Sequence, residues 1–269
     1  MKSPGEIEIY CPTPLRCRQG GVVDVWATPF LKKKNTCFTS SAWRQLRVGQ
    51  YIGGDAPLFL VKDIDWREVN GLSQKVFCLQ IMQDRVLSEG NHSFHFWSEG
   101  YTLAVITLSD KGFMGEREDT AGSMVEHKIR EGIPLTLSFR SIIGDEPHEL
   151  LSLLVHYGLT LKTDLIITTG GTGLTTRDIT PEVTLRILER RLEGFEHMMF
   201  AEGIKKTPHA IISRAVCGTL AKSLILNLPG SPRAVSEALD SLLPALPHAL
   251  EKLMDDPSPC ALTDMAHGQ

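Results

Sequence analysis

From residue 102 onward the sequence repeatedly spells a short apolar run followed by an amphipathic stretch, and few architectures accommodate that alternation. TLAVITL (102–108), LTLSFRSII (135–143), DLIITT (164–169) and SLILNL (223–228) read as strands. TLAVITL and SLILNL are unbroken apolar runs, as in strands covered on both faces. EDTAGSMVEHKIRE (118–131) places Met124, Val125 and Ile129 at helical spacing, and EPHELLSLLVHYG (146–158) carries the stripe Leu150, Leu151, Leu154, Val155 with Gly158 as a C′ residue. Thr180 as N-cap, Pro181 at the first helical position and Glu182 in the first turn predict a helix running through Val183, Leu185, Ile187, Leu188 and Leu192; Ser231 and Pro232 repeat that start before AVSEALDSLL. The fold class is α/β, a mostly parallel sheet flanked by helices.

Right-handed crossovers gather the loops that leave the strands' carboxyl ends along one edge, where open α/β sheets hold ligands. Those loops are SDKG (109–112), IGDE (143–146), TTGGTG (168–173) and LPGSP (228–232). Gly170, Gly171 and Gly173 suit positive φ and close backbone approach, leaving amides unshielded for phosphate oxygens. Thr169 and Thr172 offer hydroxyls, and a helix starting near Pro181 adds a partial positive charge. A plain tight turn needs fewer glycines. The loop is not a Walker A motif, since no Gly-Lys-Ser/Thr follows, and it lacks the third glycine of the dinucleotide fingerprint. Asp145 reads equally as the cap of the helix starting at Glu146 and as a catalytic acid, and Asp178 equally as a catalytic acid and as a partner of Arg177 or a cap near Thr180.

The first hundred residues differ. All four tryptophans lie there, and VVDVWA (22–27), PLFLVKDI (57–64) and KVFCLQIM (75–82) are short strand-like runs parted by turns such as IGGD (52–55). The expectation is a small β-rich module over 1–99, a polar seam at SEGNHSFHFWSEG (88–100), an α/β domain over 100–255 and a flexible tail over 256–269. Lys32–Lys34 reads as a solvated loop, and His92 and His95 lack a third ligand nearby. Six cysteines without a CxxC pair predict isolated thiols rather than zinc or disulfides. A net charge of −4 gives no sign of non-specific nucleic-acid binding, and no signal peptide or bilayer-length apolar run is present, so a cytoplasmic protein is expected.

TTGGTGLTTRDITPEVT (168–184), TLSDKGFMGEREDTAG (107–122) and ILNLPGSPRAVSEAL (225–239), in that spacing across residues 101–254, resemble the MogA/MoaB molybdopterin adenylyltransferases. The resemblance implies transfer of AMP from ATP, with Mg²⁺, to molybdopterin with release of pyrophosphate. It places the catalytic and metal-binding acids at Asp145 and Asp178. Substrate contacts fall on Ser109, Asp110, Thr169, Gly170, Gly171, Thr172, Gly173, Pro229, Gly230 and Ser231. It also implies a homotrimer and a molybdenum insertase downstream. A non-catalytic molybdopterin-binding or scaffold protein is the alternative. LRVGQYIGGDAPLFLVKDI (46–64) is similar to the end of a MOSC-type β-domain, but the following DWREVNG lacks that family's cysteine, so no sulfur chemistry is carried over.

Overall fold

The computed structural model describes residues 5–27, 37–39, 43–69 and 71–254. Lys32–Lys34, Cys260 and the expected tail at 256–269 lie outside the described residues.

Alternation of inward apolar and outward polar residues builds the first unit. Its strands are β1 (Gly5–Cys11), β2 (Leu15–Cys17), β3 (Val22–Trp26), β4 (Cys37–Phe38), β5 (Tyr51–Gly53), β6 (Pro57–Val69), β7 (Leu72–Ile81), β8 (Arg85–Leu87) and β9 (Gly90–Trp97). Seven of them close into a barrel in the order β1-β4-β3-β7-β6-β5-β9, while β2 and β8 pair separately. The polar seam expected at 88–100 is therefore not a linker. β9 occupies most of it and closes the barrel, pairing with β1 from Gly5↔Phe96 to Cys11↔Gly90. Phe94 and Phe96 point inward while Asn91, Ser93 and His95 are the exposed alternates, a period of two that glycine and the inward His92 disguise. Nor are the thiols isolated: Cys11 and Cys37 are both buried, with Sγ atoms 3.7 Å apart. The pairing of β1 with β4 in the barrel brings together residues distant in sequence.

The second unit follows as β10 (Tyr101–Leu108), α1 (Asp110–Phe113), α2 (Thr120–Gly132), β11 (Leu135–Ile143), α3 (Pro147–Val155), β12 (Leu165–Thr169), α4 (Thr180–Leu185), β13 (Arg190–Arg191), α5 (Glu193–Lys206), β14 (Cys217–Leu220), β15 (Ser223–Leu228), α6 (Pro232–Leu242) and α7 (Leu246–Leu253). The sheet order is β11-β10-β12-β15-β14-β13. The first four are parallel, and β14 and β13 are added antiparallel. One face packs on α2, α6 and α7 through Val125, Ile129, Val235, Leu239, Leu246 and Leu250. The other packs on α3 through Leu150 and Leu154, in a core continuous with the barrel. Each such side chain, fully buried, contributes roughly 1.5–3 kcal/mol.

Three helix ends differ from expectation. Gly158 is not a C′ residue: α3 runs into a wider π-turn over His156–Leu161, and Lys162 takes the left-handed position (φ 57°). Gly158 is needed there because a Cβ would lie 2.7 Å from the Leu220 side chain. Thr180 is not an N-cap either. It is the first residue of α4, and its hydroxyl donates to the Gly170 carbonyl at 2.9 Å. The helix stops at Leu185 rather than Leu192, because the chain turns outward to pair Arg190 and Arg191 with β14.

The barrel meets the sheet at the amino end of its strands. The Arg47 guanidinium pairs with Asp164, which is 1% exposed, and donates from its second nitrogen to Ser98 Oγ at 3.2 Å. Asp164 Oδ2 accepts from the Thr102 amide and hydroxyl, both at 2.8 Å. Lys162 Nζ donates to the Arg44 carbonyl at 2.6 Å, and the Val48 amide to the Leu161 carbonyl at 3.2 Å.

Candidate active site

At the opposite end of the sheet, register aligns the loops. Leu108 pairs with Ile143, Thr107 with Thr169, and Thr169 with Leu228, so the segments after β10, β11, β12 and β15 leave from one line. All four sequence-predicted segments are brought together.

The glycine loop follows β12. Gly170 (φ 98°) and Gly171 (φ 63°) take the left-handed backbone that favours glycine. A Cβ on Gly170 would sit 2.5 Å from the Leu108 carbonyl oxygen, and one on Gly171 would strike the Thr180 hydroxyl. Gly173, expected to share that conformation, does not. It is glycine for space, since a Cβ there would approach the Asp178 carboxylate to 2.9 Å. Gly230 likewise lets the 228–232 loop close on Gly170, whose Cα a Cβ would meet at 3.3 Å.

The hydroxyls serve mostly as fasteners. Thr169 Oγ1 donates to the Pro229 carbonyl at 2.7 Å, tying the glycine loop to the proline loop. Ser109 Oγ accepts from the Gly112 amide at 3.0 Å and Ser231 Oγ from the Ala234 amide at 3.2 Å, so each caps a helix. Thr172 is buried, lining a cavity of about 280 Å³ together with Gly173, Met199, Phe200, Ala215 and Pro229. A second cavity of about 340 Å³ is lined by Leu174, Thr175, Asp178, Ile179, Glu182 and Arg214.

The charges are unevenly matched. One Arg177 nitrogen reaches both oxygens of Asp110 at 2.7 Å, and the other reaches Glu146 at 3.3 Å, so Arg177 straps three loops together rather than pairing with Asp178. That guanidinium, helped by the Asp145 amide, holds the Asp110 carboxyl below the usual carboxylate range. Asp145 is neither a helix cap nor an ion partner: α3 begins from Glu146 without a side-chain cap bond. Burial pushes its carboxyl up, and the neighbouring charges of Asp110, Asp178 and Glu146 push it further against partial relief from Arg177. Burial also works against ionisation of Asp178, but the Thr175 hydroxyl and amide, the Gly173 amide and Arg214 together hold it below the usual range.

Arg214 is not legible in the sequence as a site residue. Its Nε donates to the Gly173 carbonyl and its Nη2 to the Asp178 carbonyl, both at 2.7 Å, while Nη1 pairs with Glu182. No local signal marks it, because its partners lie far upstream in the chain.

Among the described residues, no three acids, histidines or cysteines are grouped so as to hold a metal by themselves. Mg²⁺ does not require such a group, since it usually takes one or two carboxylates, with waters and substrate phosphates completing the shell. Asp145 and Asp178 fit that demand: the first is an oxygen donor raised by burial and by like charge, and the second is held ionised.

The family described as "Probable molybdopterin binding domain" (MoCF_biosynth) matches residues 104–248. Molybdopterin adenylyltransferase from Helicobacter pylori strain J99 is 35% identical over 153 residues, covering 56% of this chain and 87% of the relative. The Escherichia coli K12 protein of the same name is 32% identical over 142 residues, covering 52% of this chain and 72% of the relative. The crystal structure of the molybdopterin biosynthesis enzyme MoaB from Thermus thermophilus is 40% identical with a TM-score of 0.54, covering 58% of this chain and 98% of that one. The match to the family begins within β10, leaving the barrel outside it.

Proposed function

The chain belongs to the MoCF_biosynth family, and from that premise we propose that it transfers AMP from Mg-ATP to the terminal phosphate of molybdopterin. Its class, a nucleotidyltransferase, and its place in molybdenum cofactor biosynthesis follow from its relatives. The finer reading rests on the site's chemistry. A phosphate oxygen of molybdopterin attacks the α-phosphorus of ATP, the bond from that phosphorus to the bridging oxygen breaks, and pyrophosphate leaves. Two anions must meet, so the barrier is one of charge and alignment.

The chain supplies three things toward that meeting. The left-handed turn at Gly170 and Gly171 would bring phosphate oxygens close to the main-chain amides that follow it. Arg177 fixes the 109–112 and 143–146 loops against the glycine loop, so the reactants would meet prearranged groups. Asp145 and Asp178 would hold Mg²⁺, which when bound offsets charge on the phosphates. Two unlike charges about 4 Å apart attract by about 4 kcal/mol at an effective dielectric near 20, and each 1.4 kcal/mol or so is tenfold in rate. The cavity bordered by Thr172, Gly173 and Pro229 is apolar enough for a flat heterocycle beside the loop. A homotrimer, and an insertase that consumes the product, belong to the same reading.

The observation that carries it is Asp145, a half-buried acid beside other acids and the glycine loop, left without a counter-ion of its own. Incubation of the purified chain with molybdopterin, ATP and Mg²⁺ should yield adenylylated molybdopterin and pyrophosphate in equal amounts by mass spectrometry. Tight molybdopterin binding with no AMP transfer would instead assign a carrier or scaffold role.

A further inference from the structure

Arg214 lies between the short 3₁₀ turn Pro208–Ile212 and β14, outside every regular element. Its amide donates to the Thr172 carbonyl at 3.1 Å, its Nε to Gly173 and its Nη2 to Asp178. We propose that Arg214 is a positioning residue: by capturing the carbonyls of Gly173 and Asp178 its guanidinium sets two peptide planes of the glycine loop and so aims Asp178. In a trans peptide the C=O and the following N–H point in opposite directions. Fixing the carbonyls of Gly173 and Asp178 on the guanidinium therefore turns the amides of Leu174 and Ile179 away from it. The Asp178 carboxylate is held in turn by the Thr175 amide at 2.8 Å and the Thr175 hydroxyl at 2.7 Å. Glu182, on the first turn of α4, holds the remaining edge of the guanidinium and ties the assembly to a helix.

The alternative is that Arg214 contributes only its charge to an anionic substrate. The geometry favours positioning, because Nε and both terminal nitrogens are already engaged by the protein, and one flat fork reaches three acceptors at fixed spacing. Lysine keeps the charge but presents a single ammonium, so Arg214→Lys separates the two roles.

The inference rests on the adenylyl-transfer reading for its consequence, but its geometry is tested independently. In Mg²⁺-free protein, the ¹H–¹⁵N resonances of Leu174 and Ile179 should move in Arg214→Lys while those of the barrel stay in place. In turnover with molybdopterin and Mg-ATP, Arg214→Lys and Arg214→Ala should both lose kcat on the order of 100-fold with KM for ATP little changed, the cost of a misplaced group. Methylguanidinium added to Arg214→Ala should restore both the resonances and part of kcat. Unmoved loop resonances, or wild-type kcat in Arg214→Lys, would overturn the proposal. Should the wild-type chain show no AMP transfer, the functional reading fails while the resonance experiment still decides the positioning role. If Arg214→Ala does not fold, Glu182→Gln must displace the same resonances to a smaller extent, and no displacement counts against the proposal.

Discussion

The two ends of one parallel sheet use aspartate in opposite ways. At the amino end, Asp164 beside β12 is buried and fully engaged, bound by Arg47 from the barrel and by the Thr102 amide and hydroxyl. At the carboxyl end, Asp145 is half-buried among Asp110, Glu146 and Asp178, and the nearby guanidinium of Arg177 is spent on Asp110 and Glu146. A matched buried charge holds structure together; an unmatched one stores a demand for a cation. On the proposed reading, function lies at the end where electrostatics are left open.

The comparison can be broken most sharply at Asp178. Asp178→Asn should retain molybdopterin binding but lose AMP transfer by on the order of a thousandfold, as when a preorganised charge-stabilising group is removed. Steady-state turnover alongside equilibrium binding checks this, and unchanged turnover removes Asp178 from the mechanism. Next in size, Gly171→Val places a branched side chain on a left-handed backbone against the Thr180 hydroxyl. Molybdopterin binding should weaken beyond detection by titration calorimetry, whereas tight binding would make the loop merely structural.

At the matched end, Asp164→Ala leaves the half-buried Arg47 without its acid and should destabilise the fold by about 3 kcal/mol. Urea unfolding would report this, while turnover of the molecules that remain folded should stay near wild type. A large loss of kcat at constant stability would erase the distinction between the two ends.

The smallest expected effect has the opposite sign. The Asp145 carboxyl titrates above the ordinary range in the folded chain, so its ionisation penalises the fold once pH rises past the unfolded-state value, and no penalty exists below that value. Asp145→Asn should therefore raise Tm slightly at neutral pH in the presence of a chelator, leave Tm unchanged in strong acid, and abolish transfer. A lower Tm at neutral pH would show that Asp145 is a structural partner rather than a strained one.

How much of this is legible in the sequence follows from distance along the chain. β10, β12 and β15 can be read because their burial is written in consecutive residues, and the site loops follow from where such strands must end. The Gly170–Gly171 turn is legible for the same reason. β9 escapes such a reading because its inward Phe94 and Phe96 alternate with histidine and serine behind a glycine, so a strand of period two looks like a linker. The end of α3 escapes it because a π-turn hides the stop signal, which falls on Lys162 rather than on Gly158. Thr180 looks like a cap, and only the fold shows its hydroxyl reaching back to Gly170. Arg47 with Asp164, and Arg214 with the carbonyls of Gly173 and Asp178, are pairings across topology for which one sequence holds no local sign.

The central claim is that bare amides after β12 and the acids Asp145 and Asp178 surround one anionic site. A crystal structure with Mg²⁺ and a non-hydrolysable ATP analogue tests it most directly. The account predicts phosphate oxygens against the amides of Gly171 and Thr172, with Asp145 and Asp178 the residues that hold the metal. Nucleotide bound elsewhere, with the two carboxylates turned apart, would contradict it.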